Sequence, residues 1–267
     1  MTKGPRPAGQ FIRKPLVSSI LLWVRADQPR QTGMDYWRGP HSGIISASRG
    51  LDEYRQVHLA EENPGQWPRI SGVETSIPQD RKIDGVAEVT FDHLIAPLQG
   101  RPQTKLAHAD EINVFRRTLL YAAPPYSARW YETDAPSTDQ SVSSLIYIRR
   151  RDGVGIRKLQ QFMATELAPW MLESEGVTEL RTQVFLPWLK SLWNTPHVAH
   201  DNPPESRFHG SIAIGFSNVT ARDAFFLRTN QSDIQEGIRS HLSAIHAYDV
   251  QETLTFVRDG LILPTGA

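Results

Sequence analysis

The chain has 267 residues, with 29 Lys plus Arg balancing 29 Asp plus Glu, and it is 39% hydrophobic and 22% charged. That is the composition of an ordinary globular protein, and it provides no electrostatic excess to draw the chain to nucleic acid or an anionic membrane surface. It contains no cysteine, which removes disulfides, thiolate nucleophiles and cysteine-ligated metal; no apolar run nears the roughly 18 residues of a membrane span, so a cytoplasmic protein is expected.

Residues 1–15 carry Gly4, Pro5, Pro7 and Gly9 where a secretory signal has its apolar core, and read as a mobile arm. Ser18 to Arg25 is a strand whose two faces, Ile20/Leu22/Val24 and Leu21/Trp23, are both apolar, so each face needs a cover. Thr32 and Asp35 resemble a capping box before a short helix opened by Tyr36-Trp37 and bent by Gly39-Pro40. Tyr54 to Leu59 and Val86 to Phe91 alternate as strands, and Ala107 to Phe115 closes a second helix after Pro102. Thr133 to Ser141 is small, polar and proline-containing, the chemistry of a linker. Beyond it, Ile156 to Glu173 sets Leu159, Phe162, Met163, Leu167 and Trp170 at helical spacing. Thr220 to Leu227 begins another helix, and Val250 to Val257 is a final strand.

The second half echoes the first. Val17-Ser18-Ser19-Ile20 returns 125 residues later as Val142-Ser143-Ser144-Leu145, and Gly85-Val86-Ala87 returns at the same interval as Gly210-Ser211-Ile212. Gly50-Leu51-Asp52-Glu53-Tyr54-Arg55 returns after 126 residues as Gly176-Val177-Thr178-Glu179-Leu180-Arg181. A period this long indicates two copies of one domain, at 16–132 and 141–259, joined by a linker at 133–140. Each copy reads strand, helix, strand, strand, helix, strand, the ferredoxin-like order with helices on one sheet face. The doubly apolar first strand then calls for sheet against sheet. The expectation is an α+β protein of two tandem ferredoxin-like domains packed face to face as a dimeric α+β barrel, as a pseudo-dimer within one chain or between the chains of a homodimer.

Tyr36-Trp37-Arg38-Gly39-Pro40-His41, followed by Gly50-Leu51 and Tyr54-Arg55-Gln56-Val57-His58, resembles the EthD-like family of the dimeric α+β barrel superfamily. The resemblance implies a pocket in a ferredoxin-like domain and chemistry of the superfamily's kinds: cofactor-free oxygenases, dehydratases and cyclases of aromatic or polyketide-like compounds. Copy two departs from the motif, with Phe162-Met163 in place of Tyr36-Trp37 and Glu166-Leu167 near the place of His41.

Strand periodicity puts Tyr54, Gln56 and His58 on one face, whereas their counterparts Leu180, Thr182 and Val184 are mainly apolar, so a single active site belongs in copy one. His58, His41 and Tyr54 are the candidate catalytic acid–base groups, since an imidazole can give or take a proton near neutrality. Gln56, Trp37, Tyr36, Glu88, Thr90, Trp23 and Trp130 are candidate substrate contacts, with Trp67 and Tyr131 as further aromatic walls. His197, His200, Asp201 and His209 match no standard metal spacing, and no metal or other cofactor is expected. Arg149-Arg150-Arg151 enters a turn, where one arginine could serve a substrate carboxylate. Neither a Gly-x-Ser-x-Gly elbow nor a phosphate-cradling glycine loop occurs. The expected function is turnover of a small apolar, aromatic or polyketide-like molecule by a cofactor-independent oxygenase. The alternatives are a dehydratase or cyclase on the same class of substrate, or a non-catalytic binding or assembly protein.

Overall fold

The computed structural model describes residues 9–231 and 234–264. The first half runs β1 (Phe11–Arg13), β2 (Leu16–Val24), α1 (Arg30–Tyr36), a π-turn (Trp37–His41), α2 (Ser42–Ser46), β3 (Leu51–Leu59), β4 (Gly85–Phe91), α3 (Ala96–Gln99), α4 (Arg101–Val114), β5 (Phe115–Ala122) and β6 (Arg129–Tyr131). The second runs β7 (Val142–Arg150), α5 (Ile156–Phe162), a π-turn (Met163–Leu167), α6 (Ala168–Leu172), β8 (Val177–Val184), β9 (Gly210–Phe216), α7 (Val219–Arg228), α8 (Ile234–His241), β10 (Leu242–Arg258) and β11 (Leu261–Ile262).

All strands join one antiparallel sheet in the order β1-β6-β8-β9-β7-β10-β3-β4-β2-β5, with β11 on β10. Within it, β3-β4-β2-β5 and β8-β9-β7-β10 are each a ferredoxin-like sheet, so the expected α+β architecture stands. The halves are stitched twice. The far end of β10, from Val250, pairs with β3, and β6, which continues the path of β5, pairs with β8. Copy two makes its stitch with one 17-residue strand. Copy one breaks at Pro124-Pro125, because proline cannot donate to a ladder. The outcome is a barrel with the helices outside.

The barrel interior is filled. Leu21, Trp23, Val57, Leu59, Val86, Tyr121, Leu145, Tyr147, Phe185, Phe208 and Tyr248 form one cluster drawn from both halves. Beside it lies a pseudo-twofold charge network: Arg55 Nη1 donates to Glu179 at 2.7 Å, and Arg181 Nη1 to Glu53 at 2.5 Å, each residue matched by its counterpart 126 positions away. Burial works against the Glu179 carboxylate, but Arg55 and Arg181 outweigh it and hold its pKa at about 2. Arg55 and Glu53 are buried while Arg181 and Glu179 are partly exposed, and such pairs contribute little net stability; yet misalignment would strand a buried charge, so the network favours one register between halves.

Four local expectations are corrected. The Val17-Ser18-Ser19-Ile20 echo is one residue out of step: Val17 pairs with Thr90 whereas Ser143 pairs with Gly215, and Thr90 and Gly215 occupy equivalent places. A one-residue slip exchanges the faces of a strand, and the true interval here is 126. The Thr32–Asp35 capping box does not form; α1 starts at Arg30 without a side-chain cap, and Asp35 instead accepts from Gln31 Nε2. The stretch read as an arm contains β1, antiparallel to β6; its residues 1–8 lie outside the described residues. The final strand begins at Leu242, well before Val250, because its first part completes the copy-two sheet.

Candidate active site

The π-turn organises the site. Trp37–His41 is wound with the wider repeat, and Met163–Leu167 repeats it 126 residues on without a proline, so the turn is a property of the fold that Pro40 occupies and does not cause. It turns both Trp37 and His41 inward, at 1% and 4% exposure, against the sheet face bearing Tyr54, Gln56 and His58. Phe115 stands edge-on to both rings. Gly85 makes room: a Cβ there would run into the Trp37 indole.

Between this sheet face and the helices lies a cavity of about 310 Å³. Its walls are mostly apolar, including Ile20, Leu22, Ile45, Val89, Phe115 and Leu120. His41, Tyr54 and Glu111 are buried polar groups that reach it. Pockets of this size and character suit small organic ligands. In copy two the corresponding layer is closed by Phe162, Met163, Leu167, Trp170, Phe225 and Phe226.

His41 Nδ1 lies 2.8 Å from Asp110 Oδ2, and the other carboxylate oxygen accepts from Tyr36 Oη at 2.8 Å and Asn113 Nδ2 at 3.0 Å. Asp110 therefore fixes the ring with its proton on Nδ1 and leaves Nε2 as the basic nitrogen, the arrangement that a general base requires. Burial pushes the His41 imidazole below its ordinary range, against the opposing pull of Asp110, so the ring is neutral at pH 7. Glu111, one residue on, accepts from Trp193 Nε1 at 2.7 Å, and burial pushes its pKa up to about 7. A base and a carboxyl able to act as an acid thus share one cavity.

Tyr54 lines the cavity as well, its phenol driven well above the ordinary range by burial, against the hydrogen bonds of Gln56 and Trp37. Gln56 Nε2 donates to Tyr54 Oη and to the Trp37 carbonyl, both at 2.8 Å, while Gln56 Oε1 faces His58 Nε2 at 3.0 Å. His58 itself lies behind Trp37, stacked on the indole at 4.6 Å, outside the cavity lining. Burial, Arg38 and Arg30 lower its pKa to about 4. Tyr36 donates to Asp110 and packs against the apolar cluster around the cavity without lining it.

The remaining sequence candidates are not brought together here. Glu88 pairs with Arg55, and Thr90 shares its face inside the barrel. Trp23 is in the barrel cluster under Arg117, and Trp130 lies between Lys14 and Arg181. Trp67 packs on Phe225 and Phe226 of copy two. No group of three or more possible metal ligands occurs among the described residues. Sequence reasoning missed Asp110, Glu111 and Trp193. The first two sit in the helix correctly expected around Ala107, but their roles depend on facing His41 across the cavity. Trp193 carried a signal, since it lies 126 residues after Trp67 and each indole caps the helix layer of the opposite copy.

No protein-family model matches this sequence, and no curated protein does. Solved structures match across nearly the whole chain. A protein of Lactobacillus acidophilus NCFM described as a "putative monooxygenase" superposes with a TM-score of 0.53 at 11% identity, covering 94% of this chain and 100% of its own. One of Fusobacterium nucleatum with the same description gives 0.52 at 6%, covering 90% and 92%. An anthrone oxidase-like protein gives 0.52 at 8%, covering 94% and 96%. At these identities the likeness establishes the dimeric α+β barrel fold.

Proposed function

We propose that this is an EthD-like enzyme that oxidises a small apolar, aromatic or polyketide-like molecule in the copy-one cavity, as a cofactor-independent oxygenase. The observation that carries the reading is a neutral imidazole, oriented by Asp110, at the wall of a mostly apolar cavity. His41 Nε2 takes a proton from an activated C–H of the substrate. The carbanion passes one electron to dioxygen, and the two radicals couple to form a C–O bond. Glu111 protonates the resulting peroxide. The Glu111 carboxylate then takes the second C–H proton as O–O cleaves, and the departing hydroxide takes the proton held by His41, leaving a carbonyl and water with both groups restored and both oxygen atoms accounted for. The monooxygenase and anthrone oxidase-like descriptions of the structural neighbours support this direction of chemistry.

Glu111 favours a second reading, dehydration or ring closure on the same class of substrate, because an acid and a base at one cavity suffice for it. An oxygen electrode separates the two. With a hydroxyanthrone substrate, the oxygenase consumes one dioxygen per carbonyl formed and His41→Ala stops it. Turnover that continues under argon gives the second reading, and saturable binding without turnover in either gas makes the chain a binding protein.

A further inference from the structure

A second cavity, of about 380 Å³, lies in copy two at the end of β7 and β8 and is lined by Arg150, Ile156, Phe185, Trp188, Phe208 and His209, with Arg207 at its wall. Its meaning comes from the same corner of copy one. There Asp84 Oδ2 accepts from the Val24 backbone N–H at 2.9 Å, and Arg30 Nε donates to Asp84 Oδ1 at 2.7 Å. Arg30 also donates to the Leu59 carbonyl, so the corner is shut by an ion pair.

Copy two keeps the backbone and inverts the chemistry. The Phe185 N–H donates to the His209 carbonyl and the His209 N–H to the Ile148 carbonyl, as Leu59, Asp84 and Leu22 do in copy one. His209 thus stands in the place of Asp84, Ile156 in that of Arg30, Arg150 in that of Val24 and Arg207 in that of Lys82. His209 Nδ1 now takes the Arg150 backbone N–H at 3.4 Å, so the neutral ring carries its proton on Nε2 and offers a donor where Asp84 offered an acceptor. The carboxylate and its partner are gone, and two guanidinium groups have arrived.

Those guanidinium groups have no acid. Arg150 Nη1 donates to the Val154 carbonyl and Arg207 Nε to the Asn202 carbonyl, and neither makes an ion pair among the described residues. Their neighbours in the run are spent: Arg149 pairs with Glu74, and Arg151 holds the carbonyls of Arg239, Gly72 and Leu242. Burial and the charges of Arg150, Arg149 and Arg207 depress the His209 pKa to about 4, with exposed Asp152 opposing, so this corner is electropositive. Phe185 and Phe208 supply flat buried walls, and Trp188 is already covered by Arg207 at 5.2 Å.

We propose that this pocket binds an aromatic carboxylate, with the ring against Phe185, Phe208 and Trp188 and the carboxylate held by Arg150, Arg207 and His209. Guanidinium and carboxylate match in geometry, and charge-assisted bonds in a half-buried setting are the strong kind. The site is independent of the copy-one cavity, which contains none of these residues.

Calorimetric titration with 2-naphthoate, its neutral amide and inorganic phosphate tests the assignment on the full chain. The acid binds at least tenfold more tightly than the amide, Arg207→Gln weakens the acid about tenfold and leaves the amide unchanged, and His209→Asp, which restores the copy-one carboxylate, abolishes acid binding. Equal affinity for acid and amide overturns the proposal, as does indifference to both substitutions or no binding of the acid up to its solubility limit. Displacement of naphthoate by phosphate at equal concentration overturns the aromatic part and leaves a bare anion site.

Discussion

His41 depends on its partner for direction and on its burial for neutrality. Removing the ring by His41→Ala lowers kcat by about 10²–10⁴-fold, the usual contribution of a general base, and Asp110→Asn lowers it less while sparing KM. Wild-type rates for both in steady-state oxygen uptake would remove His41 from the mechanism. Glu111 sets the other limb. Activity requires neutral His41 and protonated Glu111, so it falls as pH drops through the His41 range and again as pH rises through about 7. Glu111→Gln loses the alkaline limb in a pH–rate profile. The same carboxyl affects stability with a definite sign. Its folded pKa is raised from 4.5 to about 7, so between these values the folded chain binds the extra proton and stability declines as pH rises. The buried histidines act in the opposite direction over this window, so the Glu111 contribution is read by comparison: from pH 5 to 7.5 the urea midpoint of Glu111→Gln rises more than that of the wild type.

At the scale of elements, the site is built from a π-turn, a glycine and a borrowed loop. Gly85→Ala forces a methyl into the Trp37 ring and costs about 1–3 kcal/mol, read as a lower urea midpoint; an unchanged midpoint would mean that the indole is free to move aside. The segment between β8 and β9 crosses to copy one, where the Thr118 N–H bonds the Ala199 carbonyl and the Ala199 N–H bonds the Arg116 carbonyl. It carries Leu192 and Trp193 to the cavity wall. Trp193→Ala opens that wall and removes a donor that lowers the Glu111 pKa. Weaker ligand binding and an alkaline limb displaced to higher pH are expected together, from one titration and one pH–rate series. Strand existence and the 126-residue recurrence of Tyr54 as Leu180 were readable from alternation and spacing. The exchange of loops was not, since nothing in a loop's composition states which copy it covers.

For the whole molecule, buried histidines govern the response to acid. Burial, with nearby arginines, depresses His58 to about 4, His209 to about 4 and His246 to about 3. The unfolded chain therefore takes up protons from about pH 6.5 downward while the folded chain does not, and stability falls as pH falls through that window. Three such groups act against the single opposing carboxyl of Glu111, so urea midpoints decline from pH 7 to pH 4; a rise over that interval would contradict the buried placement of these rings. Because β10 pairs with β3 and β6 with β8, the halves share a filled barrel interior, and a single urea transition is expected by both fluorescence and circular dichroism; two separated transitions would mean that the halves unfold independently.

The sequence by itself determined the duplication, the α+β class, the shared strand face of Tyr54, Gln56 and His58, and the imbalance between the copies, because hydrophobic period and repeat interval are local properties of a chain. Only the tertiary structure decided that this row faces the helices and not the barrel interior, that Asp110 orients the His41 imidazole, and that His58 stands behind Trp37. It also decided that Arg149 of Arg149-Arg150-Arg151 pairs with Glu74 while Arg150 lines the copy-two cavity. Each of these depends on side chains from separate elements meeting across a cavity, and such meetings are set by the packing of helix on sheet and of one copy on the other.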